Sequence, residues 1–190
     1  MIIYNVSDIK KVYDGNIVFA SLTFNIRQGG IFCIYGRNGA GKSTLIKMLL
    51  LVEKPDSGVI NFYGSLNSTG YLPQFSEHII CYSNILNEVN SFTGNITESL
   101  KILNLIGFSD KKNLPALNLS DGEKRLLFIY TNIYVNDILL LDEPFNGLDI
   151  DSKKKIKETL KMNKVNKTII YCTNRRMDTD IADEILELKN

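Results

Sequence analysis

The sequence predicts an α/β protein built around a parallel β-sheet. Two observations support this prediction: short apolar runs typical of buried strands, and helical patterns that separate those runs. The apolar runs are continuous, as expected for strands covered on both faces, and they lie at residues 31–35, 138–141 and 168–172. The helical patterns lie at residues 44–51, 123–135 and 152–163. Asp151 or Ser152 is the expected N-cap of the last helix.

Two smaller parts are predicted beside this sheet. Near the N-terminus, residues 17–20 and 22–26 alternate apolar and polar side chains as half-buried strands do, and residues 59–63 form a further apolar strand. From residue 76 to about residue 118, apolar residues recur at helical spacings in a polar stretch, which predicts an inserted helical lobe. The length of 190 residues suits one large domain that carries such a lobe.

The overall charge argues against a nucleic-acid partner. The chain has 22 Lys and Arg residues against 21 Asp and Glu residues, so it lacks the basic excess that a phosphate backbone attracts. Hydrophobic residues make up 44% of the chain, which is enough for a substantial buried core. We therefore expect a globular protein that does not bind nucleic acid.

Cysteine spacing and hydropathy predict a cytoplasmic chain. Cys33, Cys81 and Cys172 are far apart and form no Cys-x-x-Cys pair, so we expect reduced thiols in the core and neither a disulfide framework nor a zinc site. The sequence contains no apolar run of the roughly 18–20 residues that a membrane span needs. The N-terminus also lacks the charged and apolar regions of a signal peptide.

One loop carries a specific chemical signal. Residues 36–43 fit the pattern Gly-x-x-x-x-Gly-Lys-Ser, between a predicted buried strand and a predicted helix. Its glycines let successive backbone N–H groups face one anion, and the helix that follows adds its positive end. Lys42 can reach the β- and γ-phosphates, and the Ser43 hydroxyl can coordinate Mg²⁺. The loop therefore predicts binding of a nucleoside triphosphate with Mg²⁺, through residues Gly36, Asn38, Gly39, Ala40, Gly41, Lys42, Ser43 and Thr44.

A second acidic site complements this loop. Asp142 follows four apolar residues and so lies at the carboxyl end of a buried strand, where ligands bind in such sheets. Asp142 is the candidate carboxylate for the Mg²⁺ shell, and Glu143 is the candidate general base for an attacking water. An acidic pair after an apolar run is weak evidence by itself, but it gains weight from the phosphate loop earlier in the chain.

These residues resemble a known family, the nucleotide-binding subunits of ABC transporters, over essentially the whole chain. Residues 36–44 correspond to its Walker A loop and residues 138–144 to its Walker B strand with the glutamate. Tyr13 stands where the family has an aromatic residue that stacks on adenine, and Gln74 resembles the Q-loop glutamine that senses Mg²⁺ and the attacking water. Residues 119–123 resemble the signature Leu-Ser-Gly-Gly-Gln, which distinguishes this family from other proteins with Walker motifs. Residues 146–149 resemble its D-loop.

The resemblance implies a fold and a composite site. The fold is that of a P-loop NTPase with a RecA-like parallel sheet, an N-terminal antiparallel β subdomain and a short inserted helical subdomain at about 76–118, all in one domain of residues 1–190. Two ATP molecules would lie between two subunits, and Ser120, Gly122 and Glu123 would contact the nucleotide of the partner subunit. Ser43, Gln74 and Asp142 would hold Mg²⁺. Ser120 is also a suitable helix N-cap, with Glu123 completing a capping box.

The chain departs from the family at three positions, Asn174, Glu123 and Asp121. Asn174 stands where the family has its switch histidine, and the only histidine is His78, after the Q-loop glutamine. Because Asn can form a hydrogen bond with a γ-phosphate but cannot become positively charged, we expect slower hydrolysis with ATP binding retained. Glu123 replaces the signature glutamine, and Asp121 replaces a glycine beside it. The negative charge of Glu123 should weaken the contact with a triphosphate unless Lys124 or Arg125 compensates it.

The function expected from the resemblance is that of a transport motor. ATP binding would close a dimer, hydrolysis would reopen it, and a separate permease would dock near Gln74 on the inner face of the membrane, against Phe75, His78, Ile79, Ile80 and Tyr82. The second ATPase subunit could be identical or different. A catalytically weak or regulatory subunit and a soluble non-transport ABC ATPase remain the alternatives. The lysines of residues 153–161 suit a solvated helix face or contact with acidic lipid headgroups.

Overall fold

The computed structural model describes residues 1–74 and 80–189. The strands are β1 (Ile2–Tyr13), β2 (Asn16–Arg27), β3 (Gly30–Gly36), β4 (Ser57–Phe62), β5 (Thr69–Leu72), β6 (Ile138–Asp142), β7 (Thr168–Thr173) and β8 (Glu184–Leu188). The helices are α1 (Lys42–Leu49), α2 (Ile85–Thr93), α3 (Ile96–Leu105), α4 (Asp121–Val135) and α5 (Ile150–Asn163). Short 3₁₀ turns lie at Leu66–Ser68, Ser109–Lys111, Ala116–Asn118 and Arg176–Asp178.

The main sheet is parallel, which confirms the predicted fold class. Its strand order is β5-β6-β7-β3-β8, and every pairing between neighbours is parallel. All residues of the central strands β6 and β7 are buried, because helices cover one face and the second sheet with α1 covers the other. The continuous apolar runs of the sequence reflect this burial on both faces.

The second sheet is antiparallel, in the order β2-β1-β4, as the family resemblance implies. β2 is one strand of 12 residues where the sequence pattern suggests two short ones. β1, also 12 residues long, has no clear sequence signal. Register shifts between β1 and β2 interrupt the alternation of apolar and polar residues, and Asp8 there has a positive φ of 48°. These irregularities explain why the sequence pattern divides or hides the strands.

The helix starts differ from the prediction by about two residues. α1 begins at Lys42, after Gly41, whose φ of 87° is accessible mainly to glycine. α5 begins at Ile150, and its N-cap is Asp149, whose carboxylate accepts the backbone N–H of Ser152 at 2.8 Å. The predicted caps Asp151 and Ser152 are therefore wrong, because the chain enters the helix earlier than the charge pattern suggests.

Helices α2 and α3 form a small layer of their own against α4. Their buried apolar residues pack with Leu127 of α4 and with the segment before it, and include Ile85, Val89, Ile102 and Leu103. This layer corresponds to the predicted helical lobe, whose first residues, 76–79, lie outside the described residues. Its boundary at about 76–118 therefore remains a prediction.

Within the described residues, no helix combines the length and the hydropathy that a membrane crossing needs. Cys33 and Cys172 are buried, as expected for core thiols, whereas Cys81 is exposed. The expectation that all three cysteines lie in the core is therefore wrong for Cys81, which precedes α2 at the surface.

Candidate functional site

A cavity of about 370 Å³ lies at the carboxyl edge of the parallel sheet. It brings together residues from five separate segments of the chain. Its lining comprises Tyr13, Val18, Asn38, Gly39, Gly41, Lys42, Ser43, Thr44, Gln74, Glu143, Asn146 and Asn174. Most of the residues proposed from the sequence are among them. The lining does not include the other proposed residues, which are Gly36, Ala40, Ser120, Gly122, Glu123 and Asp142.

The glycine loop is shaped by close contacts with the antiparallel sheet. A Cβ atom at Gly41 would lie 2.4 Å from Val18 and 2.7 Å from Phe19, both in β2, so a side chain cannot be accommodated there. Gly39 also has a positive φ, of 82°. The loop then runs directly into α1, whose first turn has no side-chain cap, so its backbone N–H groups are available to an anion beside the cavity.

Lys42 and Glu143 form an ion pair at the cavity. The Lys42 amine lies 3.1 Å from the Glu143 carboxylate, and it also donates to the carbonyl oxygens of Gly36 and Arg37, each at 3.1 Å. Both side chains are buried. Burial raises the pKa of Glu143, and the hydrogen bond and charge of Lys42 oppose that rise. A carboxyl with a raised pKa beside a cation is typical of a catalytic site, although structural ion pairs show the same pattern.

The Glu143 carboxylate has two further donors. Asn146 Nδ2 donates to its Oε2 at 3.0 Å, and the backbone N–H of Asn174 donates to the same oxygen at 3.3 Å. Glu143 itself has a φ of 50°, a conformation that is uncommon for a residue with a side chain. The carboxylate is thus held in a defined direction, toward the loop that contains Lys42.

Asn174 closes the cavity opposite the glycine loop. Its Nδ2 donates to Asn38 Oδ1 at 2.7 Å, so the strand end after β7 is joined to the loop. Its own Oδ1 is buried without a hydrogen-bond partner among the described residues. At the position where the family resemblance implies a switch histidine, the side chain of Asn174 therefore contacts the loop and its backbone N–H contacts Glu143.

The chemistry of Ser43 and Asp142 fits a Mg²⁺ ion. Ser43 lines the cavity, and Asp142 is buried at the end of β6, where its Oδ1 accepts the Cys172 thiol at 2.8 Å. Hydroxyl and carboxylate oxygens are hard ligands of the kind Mg²⁺ prefers, and Mg²⁺ usually completes its shell with water and substrate phosphates. In the part of the chain that is described, no group of three or more His, Cys, Asp or Glu side chains could hold a metal without such help.

Tyr13 lines the cavity, and 41% of the residue is exposed. Its phenol donates to the Glu53 carboxylate, which raises the pKa of Tyr13 and lowers that of Glu53. Lys11 also pairs with Glu53 at 3.0 Å and lies 5.0 Å from the centre of the Tyr13 ring. Lys11 and Glu53 thus orient the ring from behind. Neither was a candidate from the sequence, because they meet only through the fold.

The start of α4 forms a capping box, as predicted. Ser120 Oγ accepts the backbone N–H of Glu123 at 3.3 Å, and the Glu123 carboxylate accepts the backbone N–H of Ser120 at 2.8 Å. Glu123 forms an ion pair with Lys111, which lowers the pKa of that carboxyl. The cation that pairs with Glu123 is therefore Lys111, whereas Lys124, one of the two cations considered from the sequence, pairs with Asp121 at 3.4 Å.

Arg125 points away from the capping box and into the protein. Its Nη1 donates to the carbonyl oxygen of Glu143 at 2.9 Å, and its Nη2 donates to the carbonyl oxygen of Gln74 at 2.7 Å. The sequence pattern offers no signal for this role beyond one cation on the buried face of a helix. His78, Phe75 and Ile79 of the predicted docking surface lie outside the described residues, whereas Tyr82 is exposed and Ile80 is partly buried.

The parallel sheet, the glycine loop at its carboxyl edge and the facing carboxylates define a P-loop nucleoside-triphosphate-binding protein. The family described as "ABC transporter" matches residues 19–146, which is more than half of the chain. The chain belongs to this family of ATP-binding proteins, whose members are ATPases.

Individual relatives agree with this assignment. The chain is 34% identical to the energy-coupling factor transporter ATP-binding protein EcfA1 of Fusobacterium nucleatum, over 97% of this chain and 78% of the relative. It is 32% identical to the uncharacterized ABC transporter ATP-binding protein YcbN of Bacillus subtilis, over 82% of this chain but only 55% of the relative. Among solved structures, cbiO1 from Clostridium perfringens, described as part of the ABC transporter complex cbiONQ, is 27% identical with a TM-score of 0.82, covering 99% of this chain and 85% of that one.

Proposed function

We infer that this chain is the ATP-hydrolysing subunit of a transporter and that it drives a separate membrane-spanning partner. The observation that carries this proposal is the convergence of Lys42, Gln74, Glu143 and Asn174 on one cavity at the carboxyl edge of the sheet. The family and the names of the relatives, which include an energy-coupling factor transporter subunit, support it.

Each residue of the cavity has a proposed role toward ATP. The loop backbone surrounds the phosphates, through Gly36, Asn38, Gly39, Ala40 and Gly41, with Thr44 beyond it. Lys42 binds the β- and γ-phosphates. Tyr13 stacks on the adenine ring. Mg²⁺, when bound through Ser43 and Asp142 with Gln74 nearby, neutralises charge on the phosphate oxygens.

Substrate binding also sets the state of Glu143. Phosphate oxygens compete with the Glu143 carboxylate for the Lys42 amine, now 3.1 Å away. Once Lys42 turns to the phosphates, the carboxylate is free to accept a proton from an attacking water. Asn146 and the backbone of Asn174 keep it directed into the cavity during this exchange.

The signature residues act on a second nucleotide. Ser120, Gly122 and Glu123 do not line the cavity, yet they form the N-terminus of a helix of 15 residues with a serine hydroxyl and backbone N–H groups. A helix N-terminus binds phosphate readily. We therefore assign these residues to the ATP held by a second ATPase subunit, in a dimer that closes around two ATP molecules.

The membrane partner is proposed from the relatives and from the surface beside Gln74. The relative cbiO1 is described as part of a transporter complex, and the exposed Tyr82 follows the segment after Gln74. The subunit would then work in the cytoplasm, at the inner face of the cell membrane, with a permease docked beside the helical lobe. No nucleic acid takes part, consistent with the balanced charge.

A Glu143→Gln variant tests the proposal. Because it keeps the shape of the site but removes the base, we expect it to bind ATP, to lose at least about 100-fold in hydrolysis and to accumulate ATP-bound dimers in size-exclusion chromatography. Glu187→Gln, which changes an exposed carboxylate in β8, is the matched control and should behave like the wild type. Unchanged hydrolysis in Glu143→Gln would contradict the assignment of the base.

Asn174 favours a second candidate, a catalytically weak or regulatory subunit paired with a more active one. To separate the active subunit from the regulatory one, ATP hydrolysis is measured with this chain alone and after it is mixed with other ATPase subunits from the same source. Turnover only in the mixture would favour the regulatory role, and turnover without any membrane partner in affinity purification would favour a soluble non-transport ATPase.

A further inference from the structure

Arg125 is a buried cation that donates hydrogen bonds to two backbone carbonyls from distant parts of the chain. Only 7% of the residue is exposed, and its two terminal nitrogens donate to the oxygens of Glu143 and Gln74 at 2.9 and 2.7 Å. A guanidinium is planar, so these two donors have a fixed spacing and direction. The two carbonyls are therefore held at a fixed separation by one rigid group.

The Glu143 end of this contact controls the direction of the proposed base. Glu143 has a φ of 50°, which a residue with a Cβ adopts only where its surroundings hold it. The Arg125 hydrogen bond holds its carbonyl, and the backbone N–H of Asn146 donates to the same oxygen at 3.2 Å. Because the Cα–Cβ direction follows the backbone angles, holding the carbonyl also holds the carboxylate beside Lys42.

The Gln74 end reaches a second lining residue of the same cavity. Gln74 lines the cavity and follows the edge strand β5, whereas Glu143 follows β6, the next strand in the sheet. The guanidinium thus spans the gap where the chain leaves two neighbouring strands. A shift of Arg125 would change the width of the cavity between Gln74 and Glu143.

We propose that Arg125 is a positioning residue that couples the Ser120 end of α4 to the hydrolytic groups of the same chain. This inference rests on the proposed function, in which Ser120 contacts the nucleotide of a second subunit. Ser120 caps α4 and Arg125 lies in its second turn, about 7 Å along one continuous helix. Movement of the helix when it engages the second nucleotide therefore moves the carbonyls of Glu143 and Gln74 with it.

The consequence is that each subunit becomes competent for hydrolysis only when its α4 is docked on the nucleotide of the other subunit. Arg125 is suited to this role because two of its hydrogen bonds hold the backbone carbonyls of Glu143 and Gln74, the residues proposed to act on the attacking water. It should therefore affect the chemical step and leave ATP affinity nearly unchanged.

The test compares Arg125→Gln and Arg125→Lys with the control Lys124→Gln. Lys124 is the neighbouring cation on α4 and pairs with the exposed Asp121, so its replacement removes the same charge without touching the two carbonyls. Fluorescent-nucleotide titration, steady-state hydrolysis and thermal unfolding are measured on each full-length variant, in the assembled complex with its partner subunits.

We expect Arg125→Gln to bind ATP within about twofold of the wild type and to lose about tenfold or more in kcat. Arg125→Lys, which can reach one carbonyl but not both in a fixed plane, should recover part of the lost kcat. Lys124→Gln should match the wild type in both measurements. This split between kcat and affinity, with partial rescue by lysine, would not follow from a general loss of stability.

Two results would overturn the inference. One is a kcat in folded Arg125→Gln equal to that of Lys124→Gln; the other is a parallel loss of ATP affinity and kcat. If Arg125→Gln does not fold, Arg125→Lys is judged by the same two criteria. Failure of the proposed function is distinct, because it shows as absent hydrolysis in the wild-type complex and absent dimers in Glu143→Gln; the inference then falls with it.

Discussion

Glu143 illustrates how one side chain can be both buried and charged. Burial raises its pKa, while Lys42, Asn146 and the N–H of Asn174 supply the donors that a carboxylate needs. If Lys42 were removed without a substitute, the carboxylate would face an uncompensated cost of desolvation. The ion pair of Lys42 and Glu143 therefore keeps the site assembled before substrate binds. When ATP binds, its phosphate oxygens compete with Glu143 for the Lys42 amine.

We propose that Asn174 limits the rate of ATP hydrolysis at this site. Its amide contacts Asn38 but cannot carry a positive charge toward a developing anion. We expect Asn174→His to raise kcat by about tenfold, a modest part of what acid–base groups contribute, with the ATP dissociation constant changed by less than about threefold. Steady-state hydrolysis and nucleotide titration measure both quantities.

The control for this substitution is Asn174→Gln, which keeps an amide and lengthens the side chain. It should not gain activity, because the change adds no titratable group. A kcat that stays at the wild-type value in Asn174→His would mean that the missing histidine does not limit hydrolysis.

At the scale of elements, α4 combines a stabilising cap with the proposed contact to a second nucleotide. The two roles of Ser120 can be separated by charge. Ser120→Asp should preserve the cap, because Asp is among the preferred N-cap residues, yet place a negative charge where phosphate is expected. We predict unchanged stability in urea unfolding and at least about tenfold weaker ATP-dependent dimerisation by ultracentrifugation in the Glu143→Gln background.

Ser120→Ala and Asn95→Asp complete this comparison. Ser120→Ala removes the cap and should cost about 1 kcal/mol of unfolding free energy. Asn95 caps α3 through Thr97 and Glu98, so Asn95→Asp makes a similar change on a helix without a proposed phosphate contact. Normal dimerisation in Ser120→Asp would contradict the assignment of Ser120 to the second nucleotide.

At the scale of the whole molecule, Asp183 joins parts that are distant in sequence. Its carboxylate accepts the backbone N–H of Ile31 at 2.9 Å at the start of β3 and pairs with Lys164 after α5. The hydrogen bond and charge of Lys164 hold the pKa of Asp183 below its ordinary value. A lowered pKa in the folded state gives stability that is present above the unfolded-state pKa of about 3.9 and is lost as the pH falls through the folded-state value.

We therefore expect Asp183→Asn to be less stable than the wild type at pH 7 by about 0.5 kcal/mol, since the pair is partly exposed. The difference should shrink as the pH falls from the unfolded-state pKa of about 3.9 through the lowered folded-state pKa. Urea unfolding at pH 7 and at acidic pH measures this difference in unfolding free energy. Asp110→Asn, which changes an exposed carboxylate, is the control. A difference that does not change with pH would mean that the carboxylate charge contributes nothing.

The parts of the molecule that the sequence predicts are those set by short-range patterns. The loop before α1 and the strands β3, β6 and β7 follow from runs of adjacent residues, so their place in the fold could be predicted. β1 was missed because its register shifts break the alternation, and β5 because it is four residues long and contains Gly70.

The contacts of the site that were missed depend on long-range packing. Lys111 meets Glu123, Glu53 meets Tyr13 and Arg125 meets Glu143 only because separate elements are adjacent in the fold. No spacing along the chain encodes these pairs. Lys124 and Arg125 are nearer to Glu123 in sequence than Lys111 is, but nearness in sequence does not determine the direction of a side chain.

The contact of Gly41 with Val18 and Phe19 has a consequence for engineering. The proposed nucleotide-binding loop packs against a strand of the antiparallel sheet. This packing leaves no space for even a methyl group at Gly41. If residues 36–44 were transplanted onto another parallel sheet, Gly41 would therefore lose its packing contact with β2. A working chimera would have to carry β2 along with the loop, so the smallest transferable unit is the continuous stretch of residues 16–44, which also contains β3.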